Sequence, residues 1–325
     1  MRTIVYIQRH PKAGFSIKKV FKPIISSIDP KETYEVPFPN ASLYSLYKNI
    51  KYIFSKRKKD AIFHITGDIH YGIIGLIKKR SVLTIHDTVT IDFNNDNKLK
   101  RFLKKLLWFT LPLKFASKVV CISDTTRRYV EKYTSRKDLE VIHNCVDPAI
   151  QYQPIKENPI FRFLIVGTNQ NKNIERMIEA LEGLNCELVI VGKLSSNQEE
   201  LLKRMKIKYE NKYNLSDEEL YEEYYNSNAV LFCSLFEGFG MPVLEANKAG
   251  RPIICSNIPV LKEVAGDAAL FVDPYDIKSI REGCDQIIQN ADLQEKLIKK
   301  GIINAEKHNK NSIVKQWEKL YNSLS

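Results

Sequence analysis

Short apolar runs alternate with longer amphipathic stretches from one end of the chain to the other, and this alternation restricts the fold more than any other feature. Strands of a parallel sheet are buried on both faces, so they read as continuous apolar runs, and each needs a crossover, usually a helix, before its neighbour. The chain is therefore expected to be α/β, with βαβ units around parallel sheets. Candidate strands in the first half are Thr3–Ile7, Ala61–Ile65, Ser81–Ile85, Lys118–Ile122 and Glu140–Ile142. In the second half they are Phe161–Val166, Cys186–Val191, Ala229–Cys233, Pro252–Cys255 and Ala269–Val272. Two sets of five predict two sheets. Between them, Asp147–Ile160 holds three prolines and no periodicity, the mark of a linker. The expected boundaries are a first domain over 1–150, a linker over 151–160 and a second domain from 161. At roughly 150 residues, each half is long enough to bury its own core.

With 44% hydrophobic and 27% charged residues, the 325-residue chain is neither fibrous nor disordered. Its charge is uneven. Residues 1–150 hold 28 Lys and Arg against 13 Asp and Glu, a net of +15, whereas residues 151–325 hold 22 against 25. The basic half is expected to meet something anionic, with nucleic acid, a membrane surface or a phosphorylated substrate as the classes. Nucleic acid is disfavoured, because no nucleic-acid motif occurs and the charge is interleaved with helix-core residues. Two stretches concentrate it: Leu43–Lys59, with Leu46, Tyr47, Ile50 and Phe54 among its lysines, and Lys98–Lys118, with Phe102, Leu103, Leu107 and Trp108. Each fits a membrane-surface helix, and each also fits a core-facing helix with a solvated basic face. The six cysteines are widely spaced, with no C-x-x-C pair and no zinc pattern, as expected of free thiols in a reducing compartment. The first apolar run ends at Gln8, too short for a signal-peptide core, and no run approaches the ~18 apolar residues of a membrane span. A cytoplasmic protein is expected, peripheral on the inner face of the plasma membrane and not crossing it.

The stretch Leu231–Pro274 carries the most chemistry. It reads strand, glycine-rich turn, helix, short strand, loop, strand. Gly238 and Gly240 allow the turn unusual backbone angles and close approach of a ligand. Pro242 suits a first helical position, so a helix is expected from about Pro242 to Ala249, stopped by Gly250. Its N-terminus would present backbone N–H groups at the end of a parallel strand, where anionic ligands bind. Glu237 and Glu245 frame the turn with seven residues between them. Carboxylates beside a phosphate site repel phosphate and more plausibly accept from sugar hydroxyls. A ligand both anionic and rich in hydroxyls is implied, such as a nucleotide-sugar.

Glu237 and Glu245, set in FEGFGMPVLEA and followed by AGRPIICSNIPVLKEVAGDAALFVDP, resemble the donor-binding signature of the retaining glycosyltransferase family 4 (glycosyl transferases group 1). The resemblance covers nearly the whole chain. RFLIVGTNQNKNIERMIEAL, ELVIVGKL and LSDEELYEEYYNSNAVLFCS resemble second-domain segments of that family, and SVLTIHDTVT, VVCISDTTRRYV and VIHNCVD its first-domain landmarks. It implies the GT-B fold: two Rossmann-like domains facing across a cleft, an acceptor domain over 1–150 and a nucleotide-sugar domain over 161–310. A C-terminal helix, 311–325, would return to the first domain and pack there through Trp317.

The resemblance also implies roles. Glu237 would contact hydroxyls of the donor sugar, Glu245 the ribose, and Lys172 the diphosphate. Gly167 and Asn169 would border the donor, and backbone N–H groups across Gly238, Phe239, Gly240, Met241, Pro242, Val243 and Leu244 would line its sugar and phosphates. His86 matches the family's active-site histidine, with Asp87 either orienting its ring or standing as a loop carboxylate. His64, His70 and His143 are expected to be core or loop residues. Two departures stand out: Thr168, Asn169 and Gln170 follow Gly167 where the family often has an arginine, so Lys172 acts with backbone N–H groups alone, or Arg176 or another arginine takes that place. The family's N-terminal glycine pair is reduced to Gly14, which with Arg9 is assigned to donor or acceptor contact. No Asp-x-Asp pair, P-loop or full dinucleotide-binding motif occurs, so neither metal nor other cofactor is expected.

The expected activity is transfer of a hexose, with retention, from a UDP- or GDP-linked donor to a saccharide or lipid-linked acceptor in bacterial surface-polysaccharide assembly. The expected partners are that donor, that acceptor and an anionic membrane surface, without nucleic acid. A nucleotide-sugar epimerase of related architecture and an inactive partner subunit are the alternatives.

Overall fold

Two all-parallel sheets, each of six strands, take up the apolar runs in the computed structural model, which describes residues 2–13, 16–92, 97–156 and 158–324. The first holds β1 (Thr3–Gln8), β2 (Lys31–Glu35), β3 (Ala61–Ile65), β4 (Ser81–Ile85), β5 (Lys118–Cys121) and β6 (Leu139–Val141), in the order β2-β1-β3-β4-β5-β6. The second holds β7 (Phe161–Val166), β8 (Cys186–Val191), β9 (Lys208–Lys212), β10 (Ala229–Phe232), β11 (Ile253–Ser256) and β12 (Leu270–Val272), in the order β12-β11-β10-β7-β8-β9. β3 and β4 are buried at every position, as central strands covered on both faces must be.

The expectation of five strands per sheet is corrected to six, and both additions are edge strands. β2 reads KETYE and β9 KYENK, with no fully buried residue in either, so neither carries an apolar run. Charged side chains on an edge discourage pairing with another chain. On β9 they are matched from within: Arg162 of β7 reaches Glu210 at 2.9 Å, Lys208 reaches Glu187 of β8 at 2.7 Å, and Lys212 reaches Glu223 at 2.7 Å. Elsewhere several strand ends differ from expectation by one residue. The stretch Lys98–Lys118 is not one helix. It forms a helix Lys98–Lys104, a π-helical turn Lys105–Thr110 and a helix Leu111–Phe115 with Pro112 in its first turn.

The chain divides into a first unit, Met1–Cys145 with Lys310–Ser325, and a second, Val146–Asn309. The division falls at 145/146 and not after 150, because Val146 and the start of the expected linker are already bound into the second unit. Val146 N–H donates to His308 O (3.0 Å), Gln151 N–H to Tyr225 Oη (3.0 Å) and Gln153 N–H to Ala249 O (3.4 Å). All six cysteines are free and buried, and burial raises the Cys186 thiol to about 11, so they pack as small apolar groups. Among the described residues no helix is long and apolar enough to cross a membrane.

In the first unit, the helix Lys310–Asn322 lies in the layer that covers Tyr6 and His64. Trp317 and Tyr321 are fully buried there, the Trp317 ring 4.8 Å from that of His64. His64 bridges Tyr321 Oη, 2.7 Å from Nδ1, and Thr84 Oγ1, 2.7 Å from Nε2. Burial pushes its pKa from 6.5 down to about 3.

A histidine that takes up a proton near 6.5 in the unfolded chain but not in the folded one lends its full stability above that pH and loses it as pH falls toward the folded value. Unfolding free energy is therefore expected to hold above about pH 6.5 and decline toward pH 4. His64→Gln is expected to lower stability at pH 7 and make that decline shallower, measured by urea titration at stepped pH.

Candidate active site

In an open parallel sheet, ligands bind beyond the carboxyl ends of the strands where the strand order reverses. In the second sheet that point lies between β7 and β10, since the chain leaves β7 toward β8 on one side and β10 lies on the other. The loop after β7 carries Lys172, and the loop after β10 carries Glu237. Lys172 Nζ donates to Glu237 Oε1 at 2.5 Å, with the two side chains 17% and 12% exposed, and lies 4.7 Å from the centre of the Phe232 ring. A cation and a carboxylate are thus held side by side, largely out of water.

Backbone geometry shapes this pair. Gly167 has φ +93°, and a Cβ there would stand 2.9 Å from Lys172 Cε, so the lysine stem lies across a glycine. Asn169 is exposed, and its carbonyl takes the Lys172 N–H at 2.8 Å. Asn171 O accepts from Leu235 N–H (2.8 Å), while Asn171 Nδ2 donates to Phe236 O (3.1 Å). Asn173, left-handed at φ +61° and buried, donates from Nδ2 to Cys233 O (3.0 Å) and Pro274 O (2.7 Å). Its Oδ1 accepts from Arg176 Nη1 at 2.8 Å, and the Arg176 guanidinium stands 5.8 Å from the Tyr275 ring centre. Arg176 thus braces Asn173. Asn171 and Asn173 escaped sequence reasoning; the only signal was a run of amides, NQNKN, after a strand.

The expected helix runs over Met241–Ala249, with Pro242 in its first turn, no acidic residue there, and Gly250 left-handed at its end. Gly240 at φ +96° precedes it, where a Cβ would meet Leu261 Cδ2 at 2.4 Å. The expected row of lining N–H groups is shorter than foreseen. Pro242 has none, and the Val243 N–H is already given to Gly240 O at 3.0 Å. The Phe239, Val243 and Leu244 side chains are core, Phe239 packing edge-on against His308 with centroids 6.0 Å apart. Gly238 and Met241 are half-buried at the turn. Glu245 is buried, and Tyr224 Oη donates to its Oε2 at 2.7 Å. That carboxylate together with burial pushes the Tyr224 phenol well above its ordinary range, so it stays a proton donor. Tyr224 is a site residue that sequence reasoning missed, one of three tyrosines in LYEEYY.

In the first unit the reversal lies between β1 and β3. Arg9, after β1, places Nη1 3.6 Å from Asp68 Oδ1, after β3. Gly14 lies outside the described residues. His86, after β4, is buried and donates from Nε2 to Thr66 O at 2.8 Å, since a carbonyl can only accept. Burial lowers its pKa from 6.5 to about 4, so the ring is neutral near pH 7, with Nδ1 as its acceptor atom. Thr66 O holds the ring, and Asp87, half-buried, accepts the Val89 N–H through Oδ1 at 3.0 Å. His70 donates from Nδ1 to Trp108 O (2.8 Å), and Trp108 Nε1 donates to Asp68 O (2.7 Å), tying the π-helical turn to the loop after β3. His64 and His70 are core residues, as expected.

Gly240→Ala is expected to cost about 1–3 kcal/mol from strain and overpacking. Tyr224→Phe, which takes the donor from a buried carboxylate, is expected to cost about 1–3 kcal/mol, and Tyr221→Phe, whose partner Asp147 is partly exposed, less. Chemical denaturation of the three variants checks both.

Residues 22–150 match the family model Glycosyltransferase Family 4, and residues 149–303 match Glycosyl transferases group 1. The chain is similar to O-antigen chain mannosyltransferase B of Escherichia coli, 38% identical over 90 residues, 28% of this chain and 24% of that protein. It is also similar to O-antigen chain mannosyltransferase RfbU of Salmonella typhimurium, 28% identical over 224 residues, 66% of this chain and 62% of that one. The matched segments thus span less than two thirds of these curated relatives. Among solved structures, Anabaena HepE in complex with UDP and glucose superposes with a TM-score of 0.82 at 14% identity, over 99% of this chain and 100% of that one. The two adjoining matches, together with two six-stranded parallel sheets that superpose on a solved structure over nearly the whole chain, make this chain a member of the group 1, family 4 glycosyltransferases of GT-B fold.

Proposed function

We propose that the protein transfers a hexose from a nucleoside-diphosphate sugar to a saccharide or lipid-linked acceptor in the assembly of a bacterial surface polysaccharide. The observation that carries it is the Lys172–Glu237 pair, at the strand reversal and near the start of a helix with no acid in its first turn. A sugar hydroxyl needs an acceptor and the adjoining phosphate needs a cation, and a sugar 1-phosphate requires the two side by side. Glu237 takes sugar hydroxyls, Lys172 and the helix N-terminus the diphosphate, and Glu245, oriented by Tyr224, the ribose. Relatives named as mannosyltransferases favour a mannosyl donor, and the UDP and glucose bound to HepE keep a uridine donor in view.

The anomeric carbon–oxygen bond breaks with its electron pair leaving on the phosphate. The acceptor oxygen bonds to the same face, and its proton passes to the departing phosphate oxygen. Lys172 and the helix dipole stabilise the charge that builds there, and the proposal needs no metal. His86, neutral and with Nε2–H committed to Thr66 O, accepts a sugar hydroxyl through Nδ1. Acceptor binding falls to the first unit, whose positive charge suits an acceptor presented at the anionic inner face of the plasma membrane.

The test is a thermal-shift and hydrolysis screen of wild type and Glu237→Ala against GDP-mannose, UDP-glucose, UDP-galactose, UDP-N-acetylglucosamine and the bare nucleotides. One donor is expected to stabilise the wild type and to be turned over at least about a hundredfold more slowly by the variant. Interconversion of nucleotide-sugars without acceptor would mark an epimerase, and no binding of any nucleotide would overturn the proposal in favour of a partner subunit.

A further inference from the structure

Arg251, between the helix Met241–Ala249 and β11, is among the largest fully buried side chains of the protein. Its acceptors are all backbone carbonyls. Nε donates to Tyr224 O at 3.0 Å, and Nη2 to Gln153 O at 2.7 Å and Pro154 O at 3.2 Å, whereas Nη1 has no hydrogen-bond partner among the described residues. Burial lowers its pKa from 12.5 to about 10, so the guanidinium stays charged near pH 7. A buried cation bonded only to neutral carbonyls, with one nitrogen unsatisfied, does little for stability, since the desolvation of its charge is only partly offset. What it supplies is direction. The planar fork holds its donors at fixed angles, which neither a lysine nor an apolar side chain reproduces.

That direction bears on Glu245. Tyr224 lies near the end of the helix Asp217–Tyr225, and the segment from Glu245 to Arg251 grips it twice. Its phenol donates to Glu245 Oε2 at 2.7 Å, and its carbonyl accepts from Arg251 Nε. The segment is closed on itself, because the Arg251 N–H donates to Ala246 O at 2.8 Å. Only the staggered wells of a tyrosine side chain separate its backbone from its hydroxyl, so fixing the Tyr224 carbonyl fixes where the phenol can meet the carboxylate. A cation at the carbonyl end of a helix is also favourable to the helix dipole. The same helix is tied to the linker by a second bond, Gln151 N–H to Tyr225 Oη at 3.0 Å, which involves neither Arg251 nor Glu245.

We propose that Arg251 is a positioning residue for the donor ribose: by holding the Tyr224 backbone it sets the phenol that aims Glu245 at the ribose hydroxyls. The inference rests on the ribose role given to Glu245 above. Arg251 itself touches no substrate, and its bonds to Gln153 O and Pro154 O brace the guanidinium from the other side.

The experiment is calorimetric titration of the full chain with UDP and GDP and with their 2′,3′-dideoxy forms, read as the ratio of the two dissociation constants for the base that binds. Compared are the wild type, Arg251→Lys, Arg251→Met, Tyr224→Phe, the double variant of Arg251→Lys with Tyr224→Phe, and Tyr225→Phe, each at a temperature where it is folded. The wild type is expected to bind the ribonucleotide about tenfold or more tighter, the size of a hydrogen bond to a charged group. That ratio is expected to fall about threefold or more in Tyr224→Phe and in both Arg251 variants, with affinity for the dideoxy form kept. The double variant is expected to fall no further than its lower single, as residues acting through one another do. Tyr225→Phe, which loosens the linker alone, is expected to keep the wild-type ratio. Arg251 variants that lose stability but keep the ratio, that weaken both forms alike, or that both fail to fold would make Arg251 a support of the linker and overturn the proposal. Equal binding of the two forms by the wild type would instead overturn the ribose role of Glu245, and the proposal with it.

Discussion

Asn173 holds the second unit's site together. From the loop after β7 it reaches both the loop after β10 and the loop after β12, through Cys233 O and Pro274 O. A buried amide with both hydrogens used is costly to disturb, because each carbonyl it leaves would stay unpaired out of water. The left-handed backbone that asparagine tolerates turns the chain so that Lys172, one residue earlier, points back over Gly167 to Glu237. The placement of two charged groups thus depends on a neutral one.

The two units handle polarity in different ways. In the second, charge is kept and compensated, cation against carboxylate and phenol against carboxylate. In the first, beside the Arg9–Asp68 pair, His70 and His86 are kept neutral by burial, each with a ring nitrogen hydrogen-bonded to a backbone carbonyl. Such rings are fixed in direction and in tautomer.

How much of this was legible follows from what each residue does. The strands that fill the cores were readable because burial on both faces leaves an apolar run, whereas β2 and β9 were not, because an edge strand is written in charge. Glu237, Lys172, His86 and Glu245 stood out by motif, and the structure brings Lys172 and Glu237 into contact. Their supports did not stand out. Thr66 acts through a carbonyl, which any residue has, and Tyr224 and Asn173 act through partners distant in sequence. The sequence placed Leu46, Tyr47, Ile50 and Phe54 together on one helical face, whereas in the structure Leu46 is buried and Tyr47 and Phe54 face solvent.

The return of Lys310–Asn322 to the first unit has a consequence for biosynthesis. A chain made from its N-terminus normally folds each domain as it emerges from the ribosome. Here the first unit has its whole sheet by Val141, but the layer over Tyr6 and His64 waits for Trp317 and Tyr321. The second unit, continuous from Val146 to Asn309, emerges complete while the first still lacks its closing helix. The half made first is therefore finished last, and until then its unfilled aromatic layer is a surface for chaperones to cover.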